Sequence, residues 1–185
     1  MITKFKLFEN TNHTDHVLGA ILLNEINTVK HFLNEENGDI NIVFNTGENM
    51  LAVASRNGWI EIMNYLIDEG INLDWSDWMG RSVLNLLCSN NIFSESEKIV
   101  KILIDAGSDL NITDKRGDTA LIKAALVNEM DLVNLLIDTN WNIIDNVRKS
   151  FYDFLYKTNQ DFIRNTYPEK YKEYIKGETI KKFKI

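Results

Sequence analysis

The sequence predicts an all-α fold, a solenoid of helix–turn–helix repeats joined by short β-hairpin turns, and three sets of spacings predict it. The triplet Leu-Ile-Asp occurs at Leu66-Ile67-Asp68, Leu103-Ile104-Asp105 and Leu136-Ile137-Asp138, at intervals of 37 and 33 residues. Upstream of them, Gly47, Gly80 and Gly117 stand 33 and 37 apart, and Leu51, Leu84 and Leu121 keep the same intervals. Self-similarity at such a period marks stacked supersecondary units that share one core.

Taken in chain order, residues 1–45 form an N-terminal capping segment with a degenerate first repeat. Leu18 there lies 33 residues before Leu51, and Leu33 lies 33 before Leu66. Residues 46–78, 79–115 and 116–146 are three fuller repeats. The middle one carries a four-residue insertion near NNIFSESE, Asn90 to Glu97. Each opens with a Gly-containing turn and continues into a short apolar helix such as NMLAVASRN. A second helix such as WIEIMNYLIDEG follows, with Ile60, Met63 and Ile67 at 3–4 spacing. A residue suited to a left-handed helix cap then closes the second helix, at Asn37, Gly70, Gly107 and Asn140. Residues 147–185 leave the pattern and read as a C-terminal helical cap of two or three helices, with an added partner-binding element as the alternative. Phe151, Phe154, Leu155 and Phe162 fall on its expected inner face, and Pro168 is placed to open the last helix. The closing IKKFKI is a basic tail, either a free end or a pairing strand.

These repeats resemble the ankyrin family, whose pattern runs roughly Asp-x-x-Gly-x-Thr-Pro-Leu-His-x-Ala-Ala. Asp114 to Ala125, DKRGDTALIKAA, keeps the Asp, Gly, Thr, Leu and Ala pair. Asp77 to Cys88 keeps Asp, Gly and Leu with Ser for Thr, and Phe44 to Ser55 keeps Gly, Leu and one Ala. Met50, Val83 and Ala120 replace the Pro, and Ala52, Asn85 and Ile122 replace the His. The resemblance covers roughly residues 14–146 and implies an ankyrin-type solenoid.

Composition limits what such a chain does. At 185 residues with 44% hydrophobic content, it suits a compact domain or a short repeat array. Net charge is −7, which argues against nucleic acid as a partner. The charge is uneven: six lysines face three glutamates from Thr166 to Ile185, which leaves residues 1–165 at −10. No apolar run is long enough for a membrane span, and the N-terminus lacks a signal-peptide pattern, so a cytoplasmic location is expected. Cys88 is the single cysteine, consistent with a reducing compartment, and falls where the family packs a small buried residue.

No catalytic constellation is visible and no cofactor is expected, so the chain is read as not an enzyme. The histidines, His13, His16 and His31, cluster early; His13-Thr-Asp-His16 lacks further ligands and reads as a solvated segment rather than a metal site. Glu35/Glu36 and Glu95/Glu97 read as solvated faces, and the turn glycines do not form a phosphate loop.

The family resemblance implies protein binding through the concave face, using the β-turn fingers and the helix behind each. The positions it marks are Asn45, Thr46, Glu48 and Arg56, then Trp78, Met79, Arg81 and Ser89, and finally Lys115, Arg116, Asp118 and Leu126. The stretch NLDWSDWMGRS puts two tryptophans near one turn. Trp75 aligns with Ile42 and Ile112 and is expected to pack between hairpins, whereas Trp78 aligns with polar Asn45 and Lys115 and is expected to meet a partner. Trp, Arg and Met concentrate at the centres of interfaces. Trp59 and Trp141 are expected to cover seams between repeats, and the Asn90 insertion either walls the binding groove or is a tolerated surface loop. The expected molecule is a monomer that binds a protein of unknown identity; the alternative is a dedicated inhibitor or immunity-type protein for one enzyme or toxin of the same cell, recognisable by nanomolar or tighter affinity for one target.

Overall fold

The computed structural model describes residues 13–89, 95–137 and 157–182, which fall into two compact units, Met1–Trp78 and Met79–Ile185. In the first, α1 (His13–Leu22), α2 (Ile26–Asn34), α3 (Met50–Asn57) and α4 (Ile60–Asp68) form two helix pairs. In the second, α5 (Val83–Ser89), α6 (Ser96–Asp105), α7 (Ala120–Leu126) and α8 (Met130–Leu135) form two more, followed by α9 (Lys157–Thr166) and α10 (Pro168–Lys182). Among the described residues there is no extended strand; Val43 and Asn49 make one antiparallel bridge at the base of a turn.

Like packs on like within each unit. First helices stack on first helices, α1 on α3 and α5 on α7, while second helices stack on second helices, α2 on α4 and α6 on α8. A first helix has neighbours on several sides, which is why α3 is buried continuously from Met50 to Ser55 and α7 from Ala120 to Ala125. Small residues such as Ala52, Ala54, Ala124 and Ala125 permit that approach. Second helices bury one stripe, Ile62, Met63 and Leu66 in α4 and Ile99, Val100 and Leu103 in α6.

Among the described residues six helices, α1–α4, α6 and α7, end in a left-handed residue, and all of these but α2 carry the paired hydrogen bonds of a Schellman closure. Ile71 N–H donates to Leu66 C=O and Gly70 N–H to Ile67 C=O, both at 3.0 Å; Ser108 and Gly107 repeat the pattern on Leu103 and Ile104. The expected left-handed caps at Asn37, Gly70 and Gly107 are present, with φ of 50°, 83° and 93°, and Asn140 lies outside the described residues. A second series, Asn24, Gly58 and Asn128, closes the first helices in the same way.

The N-terminal caps explain how the family's Thr is varied. Thr119 Oγ1 accepts from Ile122 N–H at 3.3 Å, Ser82 Oγ from Asn85 N–H at 3.2 Å, and Asn49 Oδ1 from Ala52 N–H at 2.8 Å. Three different residues thus supply one acceptor at one repeat position.

Three expectations need correction. Phe162 is 45% exposed rather than inward; its neighbour Ile163 is buried in its place, since α9 is rotated by one residue from the expected face. Ser96 and Glu97, the end of the stretch assigned to the insertion loop, belong to the first turn of α6, and residues 90–94 lie outside the described residues. The first residues of the basic tail, Ile180 to Lys182, continue α10. Phe151, Phe154, Leu155 and Trp141 lie outside the described residues, whereas Pro168 does open α10. Both C-terminal helices are tied to the last repeat: Asn159 Nδ2 donates to Asn128 Oδ1 at 2.8 Å and Lys170 Nζ to Ile137 C=O at 2.7 Å.

Candidate functional site

The turns share one geometry. Gly47 N–H donates to Phe44 C=O at 2.8 Å and Phe44 N–H to Glu48 C=O at 2.8 Å; Gly117 and Asp114 repeat both bonds, at 2.8 and 3.0 Å, on Asp114 and Asp118. Gly47, Gly80 and Gly117 have φ of 83°, 75° and 83°, a region that side chains resist, so each turn needs its glycine. The two residues before each glycine form the tip.

In Met1–Trp78, Asn45 and Thr46 are exposed at their tip. Glu48 and Arg56 are held by each other: Nε–Oε1 is 3.0 Å and Nη2–Oε2 is 3.1 Å, a bidentate pair joining turn to α3. Trp75 is half-buried, as are its counterparts Ile42 and Ile112. Trp78 is 72% exposed. One edge of its indole borders the preceding turn, for a Cβ added to Gly47 would meet Trp78 Cδ1 at 3.9 Å. The indole therefore rests against the neighbouring tip and leaves most of its surface to solvent.

In Met79–Ile185, Met79, Arg81 and Ser89 are half-buried, and Lys115, Arg116 and Leu126 are exposed. Asp118 departs from expectation. Its side chain has 0% exposure and turns inward, away from the surface where a contact was expected. The cause is Lys123, whose Nζ lies 2.6 Å from Asp118 Oδ2 and 2.7 Å from Asp114 Oδ2, beneath the turn. Asp114 Oδ1 also accepts from the N–H groups of Arg116 and Asp118, at 2.8 and 3.0 Å. Burial pushes the Asp114 carboxyl up, but the Lys123 bond and those backbone donors outweigh it and hold the group below its ordinary value. Asp118 Oδ1 has no hydrogen-bond partner. Above the cluster, Asn85 Nδ2 donates to Asp118 C=O at 2.8 Å and Lys115 N–H to Met79 C=O at 2.8 Å, so the two turns are joined.

Lys123 went unrecognised in the sequence, although a signal existed: it is the one charged residue in the apolar run ALIKAAL, aligned with Val53 and Leu86. Asn85 likewise stands where the family has His and uses that position to bridge repeats.

Elsewhere, Glu36 accepts from His13 Nδ1 at 2.8 Å and approaches His31 Nε2 at 3.4 Å. Among the described residues no group of His, Cys, Asp and Glu could hold a metal ion, and no helix is long and apolar enough to cross a membrane. Cys88 is fully buried, and burial pushes its thiol up to about 12, which suppresses the reactive thiolate.

Comparison with known proteins agrees with this geometry. The family model for ankyrin repeats in three copies matches residues 18–114 and 91–157. An ankyrin repeat protein of fowlpox virus is 28% identical over 155 residues, 82% of this chain and 35% of that protein. One from Acanthamoeba polyphaga mimivirus is 27% identical over 136 residues, 69% of this chain and 17% of that protein. One from Borreliella burgdorferi is 29% identical over 134 residues, 68% of this chain and 59% of that protein. The chain therefore spans less than two thirds of the length of each of these relatives, from 17% to 59%.

Proposed function

From the premise that this chain belongs to the ankyrin-repeat family, whose members are in general protein-interaction modules, we propose that it is a non-catalytic module that holds a folded protein partner through its turn tips and the first helices behind them. The observation that carries the proposal is Trp78, a large apolar side chain 72% exposed at a turn tip where the sister turns carry Asn45 and Lys115. One edge of the indole rests on the neighbouring tip, and its exposed face suits a desolvated anchor at the centre of an interface. Met79 and Arg81 follow it in the chain, a soft apolar group and a planar donor, both common in such centres. Lys115, Arg116 and Leu126 offer further contact, and Trp75 supports its turn from a half-buried position. Glu48 and Arg56 act as a pair that stiffens their turn and presents neither charge alone.

The test is affinity capture from source-cell lysate with wild type and Trp78→Ala as paired baits, read by mass spectrometry. Circular dichroism is expected to show Trp78→Ala folded. A dominant protein retained by wild type and lost by the variant supports the reading. Identical captures by both baits would remove the turn tips from the binding role.

A further inference from the structure

The charges of Met79–Ile185 are sorted by depth. The turn Asp114–Asp118 holds two acids and two bases, and on an ordinary surface these would offset one another. Here both acids are buried and turn onto the Lys123 ammonium at 2.6 and 2.7 Å, while Lys115 and Arg116 remain at the surface, the latter side chain 68% exposed. Arg116 Nε still approaches Asp118 Oδ2 at 3.6 Å. Lys123 thus makes the shorter contacts with both carboxylates, while Arg116, though ion-paired to Asp118, keeps most of its side chain at the surface.

The neighbouring tip adds to this surface. Lys115 N–H donates to Met79 C=O, and a Cβ on Gly80 would meet Lys115 N at 3.4 Å, so the two backbones are in direct contact. Arg81, half-buried, therefore belongs to a segment packed against the one that bears Lys115 and Arg116. The allocation of charge along the chain runs the same way, although the chain stays acidic up to residue 165: residues 1–78 carry four Lys and Arg against twelve Asp and Glu, net −8, whereas residues 79–165 carry ten against twelve, net −2.

Building on the turn-tip reading of the preceding section, we propose that the paired tips around Met79–Arg81 and Lys115–Arg116 receive an acidic segment of the partner protein. Its carboxylates meet the guanidinium groups of Arg81 and Arg116 and the Lys115 ammonium, with Met79 as apolar floor. Complementary charge of this kind governs encounter and choice of partner. A short acidic segment fits better than a long polyanion, since nucleic acid would extend beyond this local patch on a chain whose net charge is −7.

The probe is a fluorescein-labelled deca-glutamate peptide titrated with the full chain and read by anisotropy, with deca-lysine and a ten-nucleotide thymidine oligomer as comparisons. Wild type is expected to bind the acidic peptide, and binding should weaken as salt rises from about 50 to about 300 mM. Lys115→Glu with Arg116→Glu, both at exposed positions, is expected to weaken it about tenfold, with circular dichroism unchanged. No binding, equal binding by the reversed-charge variant, or oligomer binding as tight as that of the peptide would each overturn the proposal. The two readings fail separately. If Trp78→Ala loses a captured partner while charge reversal leaves peptide binding intact, the turn-tip reading stands and the acidic partner falls. If charge reversal abolishes peptide binding while Trp78→Ala captures the same proteins as wild type, the acidic site stands without the tryptophan.

Discussion

At the scale of single residues, Lys123 shows how strongly context governs a charge. Its side chain is 10% exposed in a helix whose sister positions hold Val53 and Leu86, and two carboxylates meet it there. Removing one partner of such a buried cluster leaves the other charges without compensation, which costs about 3–5 kcal/mol. Lys123→Met is therefore expected to lower stability by that order in urea denaturation, and adding Asp118→Asn should restore part of the loss. Acid should act on the same cluster. Because the folded pKa of Asp114 lies below its ordinary value, the unfolded chain binds the proton first as pH falls. The stabilisation is complete above the unfolded value, near 3.8, and disappears as pH drops through the folded one. Urea midpoints measured from pH 6 down to about pH 3 should fall more steeply for wild type than for Asp114→Asn.

At the scale of elements, the helices were legible because their determinants are local. Gly70 and Gly107 marked helix ends since they follow apolar stripes, and Pro168 marked a start since its missing N–H costs nothing there. Asn49 was harder to read. It departs from the family's Thr, yet its side chain caps α3 as Thr119 caps α7, because either oxygen reaches a backbone N–H three residues on. Asn49→Ala should cost about 1 kcal/mol and Asn49→Thr much less, measurable as shifts in the urea midpoint. Asn24 and Asn128 escaped notice because asparagine enters the left-handed region without the conspicuousness of glycine. The inner face of α9 was misjudged by one residue, a short helix with few apolar positions to fix its rotation.

At the scale of the whole molecule, period alone was enough to identify the repeat, whereas the candidate site depended on side-chain direction. Sequence alignment placed Trp78 and Asp118 at equally marked positions, yet one is exposed and the other is sealed beneath its turn. The difference arises from a lysine five residues further on, and no spacing rule for turns refers to a helix interior. The bond from Asn85 to Asp118 spans 33 residues, from one repeat to the next, and became visible only once α5 and α7 lay side by side. The buried cluster also bears on how the array can change by descent. Repeat arrays exchange material by recombination between equivalent positions, and a crossover falling between Asp118 and Lys123 would bring in the Val53 or Leu86 equivalent. The hybrid would inherit two inward acids without the lysine that meets them, so turn and helix from Asp114 to Lys123 are transmitted at least cost as a single block.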